Sequence, residues 1–193
     1  MNTLYPVFLK ADRLQWLIVG GGAVALEKLT FLYKSSPEAV VTLLAPEIRP
    51  EIVALCRQHP LRLVVEPYHV SWLEGRHLVV AATNDPAVNR EVYAHCRQRQ
   101  LLVNVADTPD CCDFYLGGIV TRGDLKIAIS TNGKAPTLAK RLRELFEAIF
   151  PDDLQELLDN MQRYRKNLRG HFEEKVKLMN DLTKSLVNED DKN

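Results

Sequence analysis

Apolar residues in the first part of the chain fall into short continuous runs, separated by longer stretches with a helical repeat. Residues 16–19, 40–44, 61–66, 78–82 and 101–105 read as strands, several of them rich in β-branched side chains. The run at 78–82 is apolar throughout, as in a strand buried on both faces of a parallel sheet. Between the runs, residues 23–33 and 50–58 read as helices. Asp85-Pro86 opens a third that extends to about 98, because a capping residue followed by proline suits a helix start. Strands and helices alternating at this spacing predict an α/β fold, a Rossmann-like open parallel sheet with right-handed crossovers.

Beyond Asp107 the pattern changes. Residues 117–121 and 125–130 form two strand patterns joined by Arg122-Gly123-Asp124, which predicts a hairpin. Residues 136–150 place Leu138, Leu142, Leu145, Phe146 and Ile149 on one helical face. A hairpin and one helix bury little surface by themselves, so they must pack on the sheet or on a second copy of the chain. Two further helical segments follow, at 153–166 and 172–187, before a charged end that is expected to fray. The division predicted is 1–113 for the Rossmann-like domain, 114–150 for a small α+β dimerisation region and 151–193 for a C-terminal helical region.

Composition narrows the function classes. The 25 basic and 25 acidic residues cancel, so no global field recruits nucleic acid or an anionic membrane. No segment approaches the roughly 20 apolar residues of a membrane span, and a cytoplasmic location is expected. The four cysteines lack a Cys-x-x-Cys spacing and the five histidines are dispersed, so no protein metal site is expected. Cys56 and Cys96 sit in helical patterns as small hydrophobes, and Cys111-Cys112 follows a candidate loop.

Candidate chemistry lies at the strand ends. Gly20, Gly21 and Gly22 come directly after the first strand and before the first helix. Gly20 lets the chain turn sharply, Gly22 has no Cβ to hold off a pyrophosphate, and small Ala25 lets the helix pack close. The helix start then aims unpaired N–H groups at the phosphates, which points to a dinucleotide. Glu47, just past the second strand at Pro46, is placed to reach a ribose and to repel a 2′-phosphate; this favours NAD. Arg49 beside it argues for NADP. Thr83 and Asn84 follow the fourth strand, where open sheets bind ligands; the alternative is that Asn84 or Asp85 only caps the next helix. Asp107, after the fifth strand, is an anion able to take a proton or to ligate a divalent metal, or else a plain turn residue before Pro109. Ser130, Thr131, Asn132, Gly133 and Lys134 link a strand to a helix, a candidate carboxylate-binding loop or an ordinary capped helix start with Lys140, Arg141 and Arg143 on a solvated face.

Together these segments are specific. Residues 19–28, Ala81-Ala-Thr-Asn84, Asn104-Val-Ala-Asp107 and Ile127-Ala-Ile-Ser-Thr-Asn-Gly-Lys-Ala-Pro136 resemble, in order and spacing, the precorrin-2 dehydrogenase/sirohydrochlorin ferrochelatase family. The likeness is strong from about residue 4 to 150 and weaker in the helical tail. It implies NAD-dependent oxidation of precorrin-2 to sirohydrochlorin, followed in some members by insertion of Fe²⁺, a second substrate, to give siroheme. It also implies a homodimer formed through the region of 117–150, Asp107 as the functional aspartate, and cofactor contacts at Ala23, Val24, Pro46 and Glu47. Thr131 falls where some relatives carry a modifiable serine, and Gly117 stands where relatives commonly have proline. The chain is too short to add the methyltransferase domain of the fused members. The leading expectation is the bifunctional enzyme; a dehydrogenase without chelatase activity and a non-catalytic NAD-sensing dimer are the alternatives.

Overall fold

The apolar runs form the sheet they predict, because the central strands β1, β2 and β4 are buried along almost their whole length. The computed structural model describes residues 2–151, 154–168 and 171–183. Strands β1 (Gln15–Val19), β2 (Val40–Leu44), β3 (Leu61–Val64), β4 (Leu78–Ala81) and β5 (Leu102–Val105) pair in parallel in the order β3-β2-β1-β4-β5. Helices α1 (Ala23–Ser35), α2 (Pro50–Leu55) and α3 (Pro86–Gln98) connect them. Register follows side-chain alternation. Trp16 and Ile18 of β1 align with Val41 and Leu43 of β2 and pack with Leu29 of α1 and Ile52 of α2. Leu17 and Val19 point the other way, into a second cluster with Val103, Val105 and the α3 residues Val92 and Cys96. A one-residue slip of any strand would exchange the two sets, so two buried faces fix the register.

This is the α/β, Rossmann-like architecture expected from the sequence. The differences lie at the element ends. The helix after β2 closes at Leu55 rather than 58, because Cys56, Arg57 and Gln58 donate their N–H groups three residues back and tighten the last turn. The strand expected at 61–66 stops at Val64, since Val65 and Glu66 are exposed with no neighbouring strand to pair. The crossover from β3 to β4 carries only a 3-10 turn, Val70–Leu73. Two more such turns, Ala11–Arg13 and Pro109–Cys111, leave no periodic signature.

Strands β6 (Gly118–Arg122) and β7 (Leu125–Ile129) form the expected hairpin. Its loop is Gly123-Asp124, with Gly123 at φ +56°, the conformation a two-residue turn asks of its first central position. Helices α4 (Pro136–Ile149), α5 (Leu154–Asn167) and α6 (Phe172–Thr183) follow. The described residues make two compact units. One takes Met1–Ile119 and Ala128–Arg143, the other Val120–Ile127 and Glu144–Asn193. Within the second, the Arg122 guanidinium donates to the carbonyls of Glu147 (2.7 Å) and Phe150 (3.2 Å), closing the end of α4 with a positive charge. Gln155 of α5 accepts from the Asp124 amide at 2.7 Å and donates to the Asp124 carboxylate at 3.1 Å. Position 153 and positions 184–193, where the sequence placed a helix start, a helix end and a frayed terminus, lie outside the described residues. Among the described residues no helix is long and apolar enough to cross a membrane.

Candidate functional site

Strand order reverses between β1 and β4, and at such a switch point open sheets bind ligands beyond the carboxyl ends of the strands. The glycine turn follows β1 there. Gly20 has φ +127°, and a Cβ there would run into the carbonyl of Ala82, just past β4. Gly21 is equally constrained: a Cβ would strike the carbonyl of Glu47, and the Gly21 carbonyl accepts from the Arg49 amide at 3.1 Å. These two glycines let the loops after β2 and β4 close onto the turn. Gly22 differs from both. It is exposed, and a Cβ there would meet nothing within 4 Å.

Gly22 is also the N-cap of α1. No side chain caps this helix and its first turn carries no acidic residue, so its leading N–H groups have neither an intrahelical acceptor nor a local carboxylate. An open space next to unpaired backbone donors suits a pyrophosphate, and the residues present therefore fit a dinucleotide. Ala23 is exposed and Val24 half-buried at the same helix start, while Ala25 is fully buried against the sheet. Pro46 and Glu47 are exposed on the adjoining loop. The Arg49 guanidinium is held by Glu51 at 2.7 Å, a contact that raises the arginine and lowers the glutamate from their ordinary values. Arg49 is thus engaged on its own helix, while Glu47 has no partner among the described residues.

After β4, Thr83 and Asn84 separate into two roles. The Thr83 hydroxyl lies 2.7 Å from Oδ1 of Asn89, and Asn89 also accepts from the Thr83 amide and donates to its carbonyl. Asp85, not Asn84, caps α3, accepting from the Ala87 amide at 2.7 Å. Asn84 is exposed and has no hydrogen-bond partner among the described residues. Thr83 accordingly braces the loop, and Asn84 is the member of the pair free to meet a ligand. Asn89 gave a signal that the sequence reading passed over. It lies three and seven residues before Val92 and Cys96, on the apolar face of α3, and is buried there.

Asp107 stands at the carboxyl end of β5 in the left-handed region, φ +57°, which a non-glycine residue adopts at a cost of order 1–3 kcal/mol. Its exposed carboxylate makes no hydrogen bond or ion pair among the described residues. The loop beneath is fastened from inside. Buried Asn104 donates to the Phe114 carbonyl at 2.8 Å and to the Cys112 sulfur at 3.4 Å, and the Cys112 thiol donates back to Val105. Burial pushes the Cys112 thiol above its ordinary value and that of Cys96 to about 12, which works against thiolate formation. Among the described residues no three His, Cys, Asp or Glu side chains come together as a metal site.

In the segment before α4, Ser130 accepts from the Asn132 amide at 3.1 Å and Thr131 from the Ala135 amide at 3.2 Å. Asn132 and Gly133 both have positive φ, 54° and 74°, so the chain turns tightly just after the two hydroxyl residues. Lys134 is exposed and unpaired among the described residues, whereas Lys140, Arg141 and Arg143 all have partners. At Gly117 a Cβ would lie 2.7 Å from the Ile129 carbonyl, which accounts locally for a glycine at that position.

Comparison with known proteins agrees with this geometry. Residues 7–118 match a family described as "Putative NAD(P)-binding", and residues 122–149 match "Sirohaem biosynthesis protein central". A siroheme synthase of Psychrobacter sp. (strain PRwf-1) is 41 % identical over 151 residues, 78 % of this chain and 30 % of the relative. Siroheme synthase 1 of Aeromonas hydrophila subsp. hydrophila is 36 % identical over 176 residues, 91 % of this chain and 36 % of the relative. The chain therefore spans about a third of the length of these curated relatives. A solved structure, the precorrin-2 dehydrogenase SirC, superposes with a TM-score of 0.73 at 26 % identity, covering 96 % of this chain and 90 % of that one.

Proposed function

The chain belongs to the NAD(P)-binding family of sirohaem biosynthesis proteins, and on that premise we propose that it oxidises precorrin-2 to sirohydrochlorin with NAD. One observation carries this reading: open Gly22 at the uncapped start of α1 and unpaired Asp107 at the end of β5 both lie at the carboxyl edge of the same sheet. The likeness to a precorrin-2 dehydrogenase over almost the whole chain supports the choice of substrate.

When bound, NAD supplies the hydride acceptor. The protein's own residues bind, orient and move a proton. The N–H groups leading α1, at Ala23 and Val24, would hold the pyrophosphate at the turn of Gly20 and Gly22. Glu47, beside Pro46, accepts from the ribose hydroxyls, and its charge rejects a 2′-phosphate. Asn84, on the loop that Thr83 and Asn89 hold rigid, orients the other end of the cofactor. Loss of two hydrogens from precorrin-2 leaves one proton to remove, and the Asp107 carboxylate takes it. Ser130, Thr131, Asn132, Gly133 and Lys134 form the wall for the tetrapyrrole carboxylates, with the Lys134 ammonium as the charged contact.

Fe²⁺ insertion into sirohydrochlorin is the second step of the proposal. Four pyrrole nitrogens bind the metal, so the chain needs no metal cage and Asp107 again receives protons. The active species is a homodimer. Leu138, Leu145 and Ile149 on α4 are each more than half exposed in the single chain, an apolar face that a second copy covers. Incubation of the purified chain with precorrin-2 and NAD, with and without Fe²⁺, tests both steps by absorbance. NADH formation with metal incorporation supports the full scheme, NADH alone selects the dehydrogenase, and NAD binding without NADH selects a sensor.

A further inference from the structure

At the opposite edge of the sheet, where β1, β2 and β3 begin, lies an open cleft of about 620 Å³. Gln15, Thr42, His59, Arg62, Glu74 and Arg76 are among its walls. It is distinct from the glycine turn, which follows the other end of β1. We propose that this cleft is a second binding site, for a small polyanion bearing phosphate or carboxylate groups, held by Arg62 and Arg76.

Both guanidiniums are positioned, and neither is neutralised. Arg76 donates from Nε to the Trp72 carbonyl at 3.2 Å and from Nη1 to the hydroxyl of Thr42, itself buried in β2, at 2.9 Å. Its Nη2 group has no acceptor among the described residues. Arg62 lies over the Trp72 ring, 5.8 Å from its centroid, and makes no hydrogen bond or ion pair among the described residues. Trp72 thus orients both arginines, one through its carbonyl and one through its ring. Burial, and after it the charge of Arg62, hold Arg76 below its ordinary value. A partly buried guanidinium that feels a second positive charge and has no carboxylate partner is unfavourable unless an anion joins the two. Guanidinium forks match phosphate and carboxylate oxygens two at a time, and this defines the ligand class. Glu74 on the rim makes no ion pair with either arginine among the described residues, and its negative charge disfavours anions of low charge.

Isothermal titration of the full chain, with NAD saturating, separates this site from the glycine turn. Pyrophosphate is the phosphate probe and citrate the carboxylate probe. Saturable one-site binding of at least one probe is expected, weakened about ten-fold or more in Arg62→Gln, as for loss of one charged hydrogen bond. Arg62 is exposed and the ring contact with Trp72 is its side chain's one attractive interaction among the described residues, so that variant folds; Arg76→Gln should weaken the same probe while also lowering the melting temperature. Gly22→Ala should leave probe binding unchanged, so failure here is independent of the dehydrogenase reading. Absence of saturable binding by both probes, or equal affinity in Arg62→Gln, overturns the proposal.

Discussion

Three glycines in a row do different work, and single methyl groups tell them apart. Gly20→Ala forces a side chain onto φ +127° and into Ala82, so it should lower stability by about 1–3 kcal/mol or more, read as a fall in melting temperature. Gly22→Ala faces open space and should leave that temperature unchanged. A methyl crowding the pyrophosphate carries an overpacking cost of about 1–3 kcal/mol, or roughly 5- to 150-fold in NAD affinity by equilibrium titration. Asp107→Ala should lower turnover by about 10²–10⁴-fold with NAD affinity retained; full activity would remove it as the base. Gly22 and Asp107 stood out in the sequence as candidates because each follows an apolar run, at the start of the loop beyond a strand. Asn89 was not. A lone asparagine on a helix looks like a surface residue until Val92 and Cys96 show that its face is buried.

Among the elements, the five strands were the most legible part, since their apolar runs are broken by a single polar residue in each of β1, β2, β3 and β5, at Gln15, Thr42, Arg62 and Asn104. Their ends and the 3-10 turns were not, because these depend on where a neighbouring strand stops and on local hydrogen bonds that have no periodicity. Helix α3 shows what a cap decides. Asp85 accepts from Ala87 while Thr83 and Asn89 clasp the preceding loop, so one short stretch starts the helix and braces the loop after β4. Asp85→Ala should cost about 1 kcal/mol, visible as a lower urea midpoint with unchanged slope. Asn89→Leu should raise KM for NAD more than it alters the fold, because it frees the loop that presents Asn84; an unchanged KM would confine Asn89 to a packing role.

For the molecule as a whole, the two proposed sites lie at opposite edges of the sheet. The carboxyl edge gathers the glycine turn, Asn84 and Asp107, and the amino edge gathers Arg62 and Arg76. The hairpin and α4 were visible in the sequence as patterns, but their lack of a fully buried helical residue became visible only in three dimensions. Leu145→Glu should therefore turn a dimer into a monomer in sedimentation velocity, and a wild-type monomer would remove the dimer from the scheme. The chain's third-length match to its relatives makes its own catalytic competence the question that matters most. The direct test is to mix the purified chain with precorrin-2 and NAD without metal and follow NADH by absorbance. One NADH formed per precorrin-2 consumed, abolished or strongly slowed in Asp107→Ala, is the predicted result; tight NAD binding with no NADH formed would contradict it.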